Sequence, residues 1–372
     1  MPKPLRIVIS GGGTGGHIFP AVSIAQEVQR RYPHVEIQFI GAQGRMEMER
    51  IPAAGYPIVG IPIAGFQRKA LHRNVGLPIK IWRSIRRVHK LLKEWQPHAV
   101  IGTGGYVSGP TLFVAQRMGI PTLIQEQNSF AGWTNRIVSR RAKAICTAYP
   151  GMESVFPAGL THQTGNPVRP AIAALPIIHE EERRNAKVDL GFDPERQLIL
   201  VLGGSQGARA INQSVEAAEM EWRRNGHQIL WQCGKFYFDD IHARLGIEED
   251  RRIQAFVDDM VLAYTAADIV VSRAGAGTIS ELCCAGMACI LIPSPNVAED
   301  HQTHNAISLQ ERSAAIHLPE NKAFSNLSMT VEHLLSNLEK LEALRAGSRA
   351  LAQPNAASDI VNHLETLWTW TA

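Results

Sequence analysis

The stretch ISGGGTGGHIFPA (residues 9–21) places a histidine, His17, directly after five glycines, where a short apolar run gives way to a helical one. Two kinds of chemistry fit that spacing. The backbone N–H groups of a glycine turn that opens a helix can meet a phosphate. A helix N-terminus also disfavours a positive imidazole, which keeps His17 neutral and able to accept a proton near pH 7, as a general base must. A histidine that merely packs or caps there is the plain alternative. Gly11, Gly13 and Gly16 spell the dinucleotide fingerprint G-x-G-x-x-G, but that site needs an acid at the end of the second strand to hold a ribose. The strand, VEIQFIGAQG, ends in Gly41, Ala42 and Gln43, with Glu36 at its start, which argues against a nicotinamide-dependent oxidoreductase. His17 and Ile18 stand where a triphosphate P-loop needs lysine and Ser/Thr, so that reading fails too.

In the second half, Thr278-Ile279-Ser280-Glu281 has the T-x-x-E form of a capping box, in which Glu281 would satisfy a backbone N–H. There is no D-x-D pair, and Asp239-Asp240 and Asp258-Asp259 read as ordinary loop and surface acids. Five cysteines (Cys146, Cys233, Cys283, Cys284, Cys289), odd in number and without C-x-x-C spacing, read as buried reduced thiols. No disulfide framework, metal site or cofactor is expected.

The elements that must hold these residues repeat. Residues 5–10 run into the first glycine turn, and QLILVLGGSQGARAINQSV (197–215) repeats its order of strand, glycine turn and helix. PHAVIGTGGYVSGP (97–110), IPTLIQEQNSFAGWTN (120–135) and DIVVSRAGAGTISELCCAG (268–286) are further strand-to-loop junctions. Strands alternating with helices imply parallel sheets with crossover helices, an α/β class. With 372 residues, 45% of them hydrophobic, the chain has room for two cores. Prolines and a glycine in TGNPVRP (164–170) mark the break. Two Rossmann-like domains, 1–166 and 167–350, are expected, followed by a closing helical segment, 351–372, whose helix reads from Ala356 to Trp370. Ligands in such sheets sit at the carboxyl ends of the strands, so the glycine junctions should face one interdomain cleft. The opening residues are interrupted too early for a secretory signal, and no apolar run nears the roughly 20 residues of a membrane span. A cytosolic protein that at most touches a membrane is expected.

Taken together, GGGTGGHIFPA, GTGGYVSGP, QEQNSFAGWTN, TGNPVR, GGSQGAR and SRAGAGTISELCCAG followed by DHQTHNA resemble, in order, the MurG family of peripheral membrane glycosyltransferases. The resemblance implies the GT-B fold, with two Rossmann-like domains whose parallel sheets face a central cleft. It implies inverting, metal-independent transfer of N-acetylglucosamine from UDP-N-acetylglucosamine to the C4 hydroxyl of the N-acetylmuramyl sugar of lipid I (undecaprenyl-pyrophosphoryl-MurNAc-pentapeptide). The product would be lipid II, for the bacterial cell wall. By motif, the family's donor contacts fall on Thr14, Gly15, Gly16, Asn128, Arg169, Ser205, Val257, the run Ala276, Gly277, Thr278, Ile279, Ser280 and Glu281, and Gln302. In the family the glutamate matching Glu281 binds the ribose diol. Gly104, Gly105 and Tyr106 fall on the acceptor and diphosphate loops. His17 is the first candidate for base and Glu126 the second. Plain structural roles stand beside several of these: an Asx turn for Asn128, hinge packing for Arg169, a surface helix position for Gln302. N–H groups at Gly15 and Gly16 and around Ser205 to Gly207 would stabilise the departing diphosphate. Two positions depart from the family's pattern: Gln125 stands where a histidine is common, and Gly277 where a larger apolar residue is frequent. An epimerase of UDP-N-acetylglucosamine, a transferase for another lipid and a silent nucleotide-sugar-binding module share the fold as alternatives.

Residues 66–95 carry nine Lys/Arg and one acid, a net +8, against +4 for the whole chain. From Pro78, read as the first helical residue, Ile81, Ile85, Val88 and Leu92 form a core stripe. Ile79 and Trp82 stand instead among Lys80, Arg83, Arg86, Arg87, Lys90 and Lys93, and read as interfacial anchors for the anionic cytoplasmic face of the cell (inner) membrane. A solvated basic face is the alternative. Proteins of cell-wall synthesis or division are further partners that the resemblance suggests; nucleic acid is not expected, since no such motif accompanies the patch.

Overall fold

The computed structural model describes residues 4–65, 75–204, 206–297 and 300–367. The chain folds as two α/β units, Met1–Val168 with Asn355–Ala372, and Arg169–Pro354. The first contains β1 (Arg6–Gly11), α1 (Gly15–Arg31), β2 (Glu36–Ala42), α2 (Glu47–Ala53), β3 (Ile58–Ile61), α3 (Leu77–Trp95), β4 (Ala99–Gly104), α4 (Ser108–Arg117), β5 (Thr122–Glu126), α5 (Trp133–Ser139), β6 (Ala144–Thr147) and β7 (Thr161–Gln163). The second contains α6 (Pro170–Ala173), α7 (Glu180–Asp189), β8 (Leu198–Leu202), α8 (Arg209–Arg224), β9 (Gln228–Gln232), α9 (Phe238–Leu245), β10 (Arg251–Gln254), α10 (Met260–Ala266), β11 (Ile269–Ser272), α11 (Ala276–Cys284), β12 (Cys289–Leu291), α12 (His301–Gln310), β13 (Ile316–His317), α13 (Glu320–Leu335) and α14 (Leu338–Ala350). The last helix, α15 (Ala356–Glu365), belongs to the first unit.

Both sheets are parallel, in the orders β3-β2-β1-β4-β5-β6-β7 and β10-β9-β8-β11-β12-β13. Strands such as Leu198–Leu202 are buried along their whole length, which is why they read as unbroken apolar runs rather than alternating ones. Each order reverses once, between β1 and β4 and between β8 and β11. These are the switch points where doubly wound sheets take their ligands, beyond the carboxyl ends of the strands. The glycine turn after β1 and the Gly104-Gly105 turn lie at the first, and the turn after β8 and the start of α11 lie at the second.

α15 is part of the first unit's core, where Ile360, Val361 and Leu364 are buried with Ile7, Ile24 and Val28. Arg31 on α1 holds it with hydrogen bonds to Ser358, Asn362 and Glu365. The helix ends at Glu365, short of the Trp370 expected from its pattern.

On α3 the sequence pattern needs correcting. The helix begins at Leu77, one residue before Pro78, and its buried residues are Ser84, Val88 and Leu92. Ile85 is partly buried, but Ile81 is 38% exposed, because residues 78–83 all lie beyond the packed part of the helix. Ile81 therefore joins Ile79 and Trp82, 58% and 55% exposed, on a surface that also carries Lys80, Arg83, Arg87 and Lys90. The Arg86 guanidinium lies 4.8 Å from the Trp82 ring centre. Residues 66–74 of the basic stretch lie outside the described residues.

Candidate active site

His17 is in the first turn of α1, half-buried, with Thr14 as the residue before the helix. Its Nδ1 is 3.0 Å from the Gly12 carbonyl and 3.1 Å from Thr14 Oγ1. A carbonyl oxygen only accepts, so Nδ1 carries the hydrogen and, in the neutral ring, Nε2 carries the lone pair. The tautomer is thus set by the glycine turn itself. Thr103 supports the same turn by donating its hydroxyl to the His17 carbonyl at 2.8 Å. No side chain caps α1 and no acid sits in its first turn.

The turn after β4 needs its glycines. Gly104 and Gly105 have φ of +99° and +76°, and a Cβ on Gly104 would lie 2.8 Å from the His17 ring. A Cβ on Gly105 would lie 2.3 Å from the Gly12 oxygen, the atom that holds His17. Tyr106, half-buried, packs its ring 3.3 Å from the Cβ position of Gly13. Burial raises the Tyr106 pKa, with the Glu47 charge raising it further and Arg45 opposing it.

Glu126 is 2% exposed, and its carboxylate accepts from the Asn128 and Gly132 N–H groups, both at 3.1 Å, and from Asn135 Nδ2 at 2.9 Å. Burial pushes its pKa up, against these hydrogen bonds, which pull it down. Both oxygens are engaged in bracing the 127–132 loop and the start of α5, an arrangement suited to a loop anchor rather than a base. Asn128 adds its side-chain amide to the same carboxylate at 3.4 Å. Gln125, the first departure from the family's pattern, is buried and donates to Asn166 Oδ1 at 2.8 Å, while its own side-chain oxygen accepts from Gln127.

In the second unit the capping-box reading of Glu281 is wrong. The residue before α11 is Gly275, so Thr278 and Glu281 both lie inside the helix. The Glu281 carboxylate is instead clasped by Arg169, with Nε and Nη2 donating at 2.7 and 2.8 Å, and the Tyr264 hydroxyl donates to it at 3.4 Å. Burial works against the Arg169 charge, but its bonds to Glu281 outweigh this and raise its pKa. The first turn of α11 has no capping side chain and no acid. Gly277, the second departure, has open space where a side chain would be.

Other positions are less open than their motifs suggest. Gly207 donates its N–H to Gly204 at 3.1 Å, and α8 begins only at Arg209, so that glycine turn does not lead its N–H groups directly into a helix. Ser205 lies outside the described residues. Val257 is buried and its N–H goes to Gln232 Oε1 at 2.9 Å. Gln302, half-buried on α12, accepts from the Ser294 N–H at 2.9 Å. Four of the cysteines are buried but Cys284 is only partly so. Burial pushes the Cys146 thiol up to about 12.

The residue that pattern reading misses altogether is Glu47. It is fully buried, and its two oxygens accept from the Gly13 N–H at 3.1 Å and the Ala42 N–H at 3.0 Å. In RMEMERIPA it looks like one of several helix-start acids; only the presence of glycine at positions 12 and 41, where a Cβ would strike its side chain, hints at it.

Residues 7–147 match the glycosyltransferase family 28 N-terminal domain, and residues 198–364 match the glycosyltransferase family 28 C-terminal domain. Among curated relatives, the UDP-N-acetylglucosamine–N-acetylmuramyl-(pentapeptide) pyrophosphoryl-undecaprenol N-acetylglucosamine transferase of Porphyromonas gingivalis is 49% identical over 365 residues, 97% of this chain and 95% of its own. The protein of the same name from Phocaeicola vulgatus is 46% identical, over 98% of this chain and 96% of its own. Among solved structures, MurG of Acinetobacter baumannii superposes with a TM-score of 0.79 at 29% identity, covering 98% of this chain and all of its own. With both halves matched and nearly half of the residues shared from end to end, the chain belongs to the MurG family, within glycosyltransferase family 28.

Proposed function

We propose that the chain transfers N-acetylglucosamine from UDP-N-acetylglucosamine to the C4 hydroxyl of the N-acetylmuramyl sugar of lipid I, forming lipid II with inversion at C1. One observation carries the reading: the likeness to transferases of that name runs over 97% of the chain, so acceptor and donor halves are both matched. The acceptor oxygen attacks C1 as the bond from C1 to UDP breaks. Its proton goes to His17 Nε2, whose lone pair the Gly12 carbonyl has fixed, and UDP leaves as a diphosphate that needs no protonation. Gly104, Gly105 and Tyr106 line the acceptor's approach. The uncapped N–H groups of Gly15 and Gly16, and those at the start of α11 from Ala276 to Thr278, meet negative charge. Glu281, held by Arg169, accepts from the ribose diol, and Ile279, Ser280, Val257, Gln302, Thr14, Asn128 and Ser205 complete the donor contacts. Glu126 anchors its loop. Among the described residues no helix is long and apolar enough to cross a membrane; the α3 surface is proposed to hold the chain on the cytoplasmic face of the membrane, where lipid I and cell-wall synthesis or division proteins are met.

The test is incubation of the purified chain with radiolabelled UDP-N-acetylglucosamine and a short-chain lipid I analogue. Label should pass to a disaccharide product, and at an undiminished rate in EDTA, because helix N-termini carry the charge stabilisation. Epimerised sugar nucleotide from donor alone would overturn the reading, and rescue of an EDTA-silenced enzyme by magnesium or manganese would overturn its metal independence.

Glu281→Ala is expected to raise the donor KM by about 10-fold or more, the scale of losing hydrogen bonds to a charged acceptor. The melting temperature should fall as well, because Arg169 and the buried Tyr264 hydroxyl lose the carboxylate they donate to, so the donor KM is the reading that decides. An unchanged donor KM would remove the ribose role.

A further inference from the structure

The buried carboxylate of Glu47 and the ring of His17 are joined by a single peptide unit. Gly13 N–H donates to Glu47 Oε2 at 3.1 Å, and the carbonyl of that same peptide, on Gly12, faces His17 Nδ1 at 3.0 Å. From these contacts we infer that Glu47 is a positioning residue for His17, acting through the Gly12–Gly13 peptide as the third member of a carboxylate–peptide–imidazole chain.

The physics is that of polarised hydrogen-bond chains. A carboxylate that accepts from an amide N–H draws charge towards the amide oxygen, and so strengthens the bond that this oxygen accepts at its other end. The bond from Nδ1–H strengthens again when Nε2 takes a proton and the ring becomes positive. That matters because the N-terminus of α1 opposes a positive imidazole. A negative group placed behind the glycine turn offsets the helix dipole just where the ring charges. The fit is close on every side. Glu47 Oε1 is held by Ala42 N–H at 3.0 Å, and the missing side chains of Gly12 and Gly41 leave the space its carboxyl group and stem fill. The missing side chain of Gly105 leaves the Gly12 oxygen open to the ring. Charged or titratable groups beside this point among the described residues include Arg45, two residues before α2, and Tyr106, which interacts with both Arg45 and Glu47. One consequence concerns the ligand: the Gly13 N–H is already taken by Glu47 and is not one of the donors this turn offers an anion.

The inference rests on His17 as the base, and the experiment separates the two. The imidazole of ¹⁵N-labelled His17 is titrated by NMR in the unmodified chain and in Glu47→Gln, alongside the pH dependence of kcat. In Glu47→Gln the His17 titration is expected to move down by about one pH unit. The acid limb of the kcat profile, where the base gains its proton, should move down with it, the plateau kcat should fall about 10-fold, and the donor KM should stay as it was. Glu47→Gln in a His17→Ala background should then lose nothing further. An unmoved His17 titration, with only a lower melting temperature, would overturn the inference and leave Glu47 as a brace for the loop. Should Glu47→Gln not fold, the Gly13 amide of the unmodified chain is the probe. Its ¹⁵N and ¹H shifts should follow the His17 titration and stop doing so in His17→Ala; a Gly13 amide blind to that titration overturns the inference equally. Retention of full turnover by His17→Ala would sink the base assignment alone, since the NMR coupling is read without catalysis.

Discussion

His17→Ala is expected to lower kcat by roughly 100-fold or more, the usual scale for losing a positioned general base, while the donor KM stays within a few-fold of the unmodified value. The ring is half-buried in the first turn of α1, and its Nδ1 hydrogen is committed to the Gly12 carbonyl, which aims the other nitrogen's lone pair away from the turn. Alanine is a good helix former, so the helix should persist and the loss should be in chemistry. The competing assignment, Glu126, makes a different forecast. Its two oxygens accept from Asn128, Gly132 and Asn135 within a buried loop. Glu126→Gln would turn an amide NH2 group against those donors, at a stability cost of about 1–3 kcal/mol for leaving buried groups unpaired. Its signature should be a lower melting temperature with kcat reduced far less than in His17→Ala. If the order is reversed, with Glu126→Gln losing most of its turnover and His17→Ala near normal, the base is Glu126.

The second large effect concerns α3. Replacing Lys80, Arg83, Arg87 and Lys90 together by glutamate is expected to abolish binding to anionic liposomes. Each basic side chain near such a surface contributes about 1 kcal/mol, so loss of four weakens attachment by roughly 4 kcal/mol, or about a thousandfold, before any repulsion is counted. All four side chains are exposed, and the buried side of the helix is Ser84, Val88 and Leu92, which the changes do not touch. Acids near the helix start are favoured by its dipole, and like charges three and four residues apart cost only a few tenths of a kcal/mol, so the fold should hold. Turnover of membrane-embedded lipid I should fall with the liposome binding, while a water-soluble acceptor analogue is processed near the normal rate. Ile79, Ile81 and Trp82, exposed beside the charges, would on this proposal give the surface an apolar part to enter the headgroup region. Liposome binding that ignores both salt and lipid charge would leave the basic face merely solvated.

Much of this was legible from local pattern. Strand, glycine turn and helix follow one another in each half because backbone conformation at a turn depends on the few residues that make it. A positive φ at Gly13 or Gly104 is therefore recorded in the sequence as glycine. The repeat of that unit is enough to give the α/β class, the parallel sheets and the place of His17 in a first helical turn. The amphipathic face of α3 was legible for the same reason, except at Ile81, where the period says core but the helix has run past what it packs on.

What the sequence could not decide is which polar groups meet. Thr278 and Glu281 have the spacing of a cap, yet the helix starts three residues earlier and the carboxylate goes to Arg169, 112 residues away in the chain. That both oxygens of the buried Glu126 accept hydrogen bonds from its own loop and from Asn135 is likewise invisible in the sequence. Glu47 reaches the Gly13 N–H from 34 residues away. Its side chain must satisfy donors that no neighbour in sequence provides, so its role exists only once β1, β2 and α2 are packed together. By itself the sequence determined the turns, the elements and their order, because these follow from near-neighbour sterics and periodicity. The protonation and aim of His17, the partner of Glu281 and the N–H groups open to a ligand were decided only by the tertiary structure, since a hydrogen bond needs its two atoms within about 3 Å and chain distance does not tell which atoms those will be.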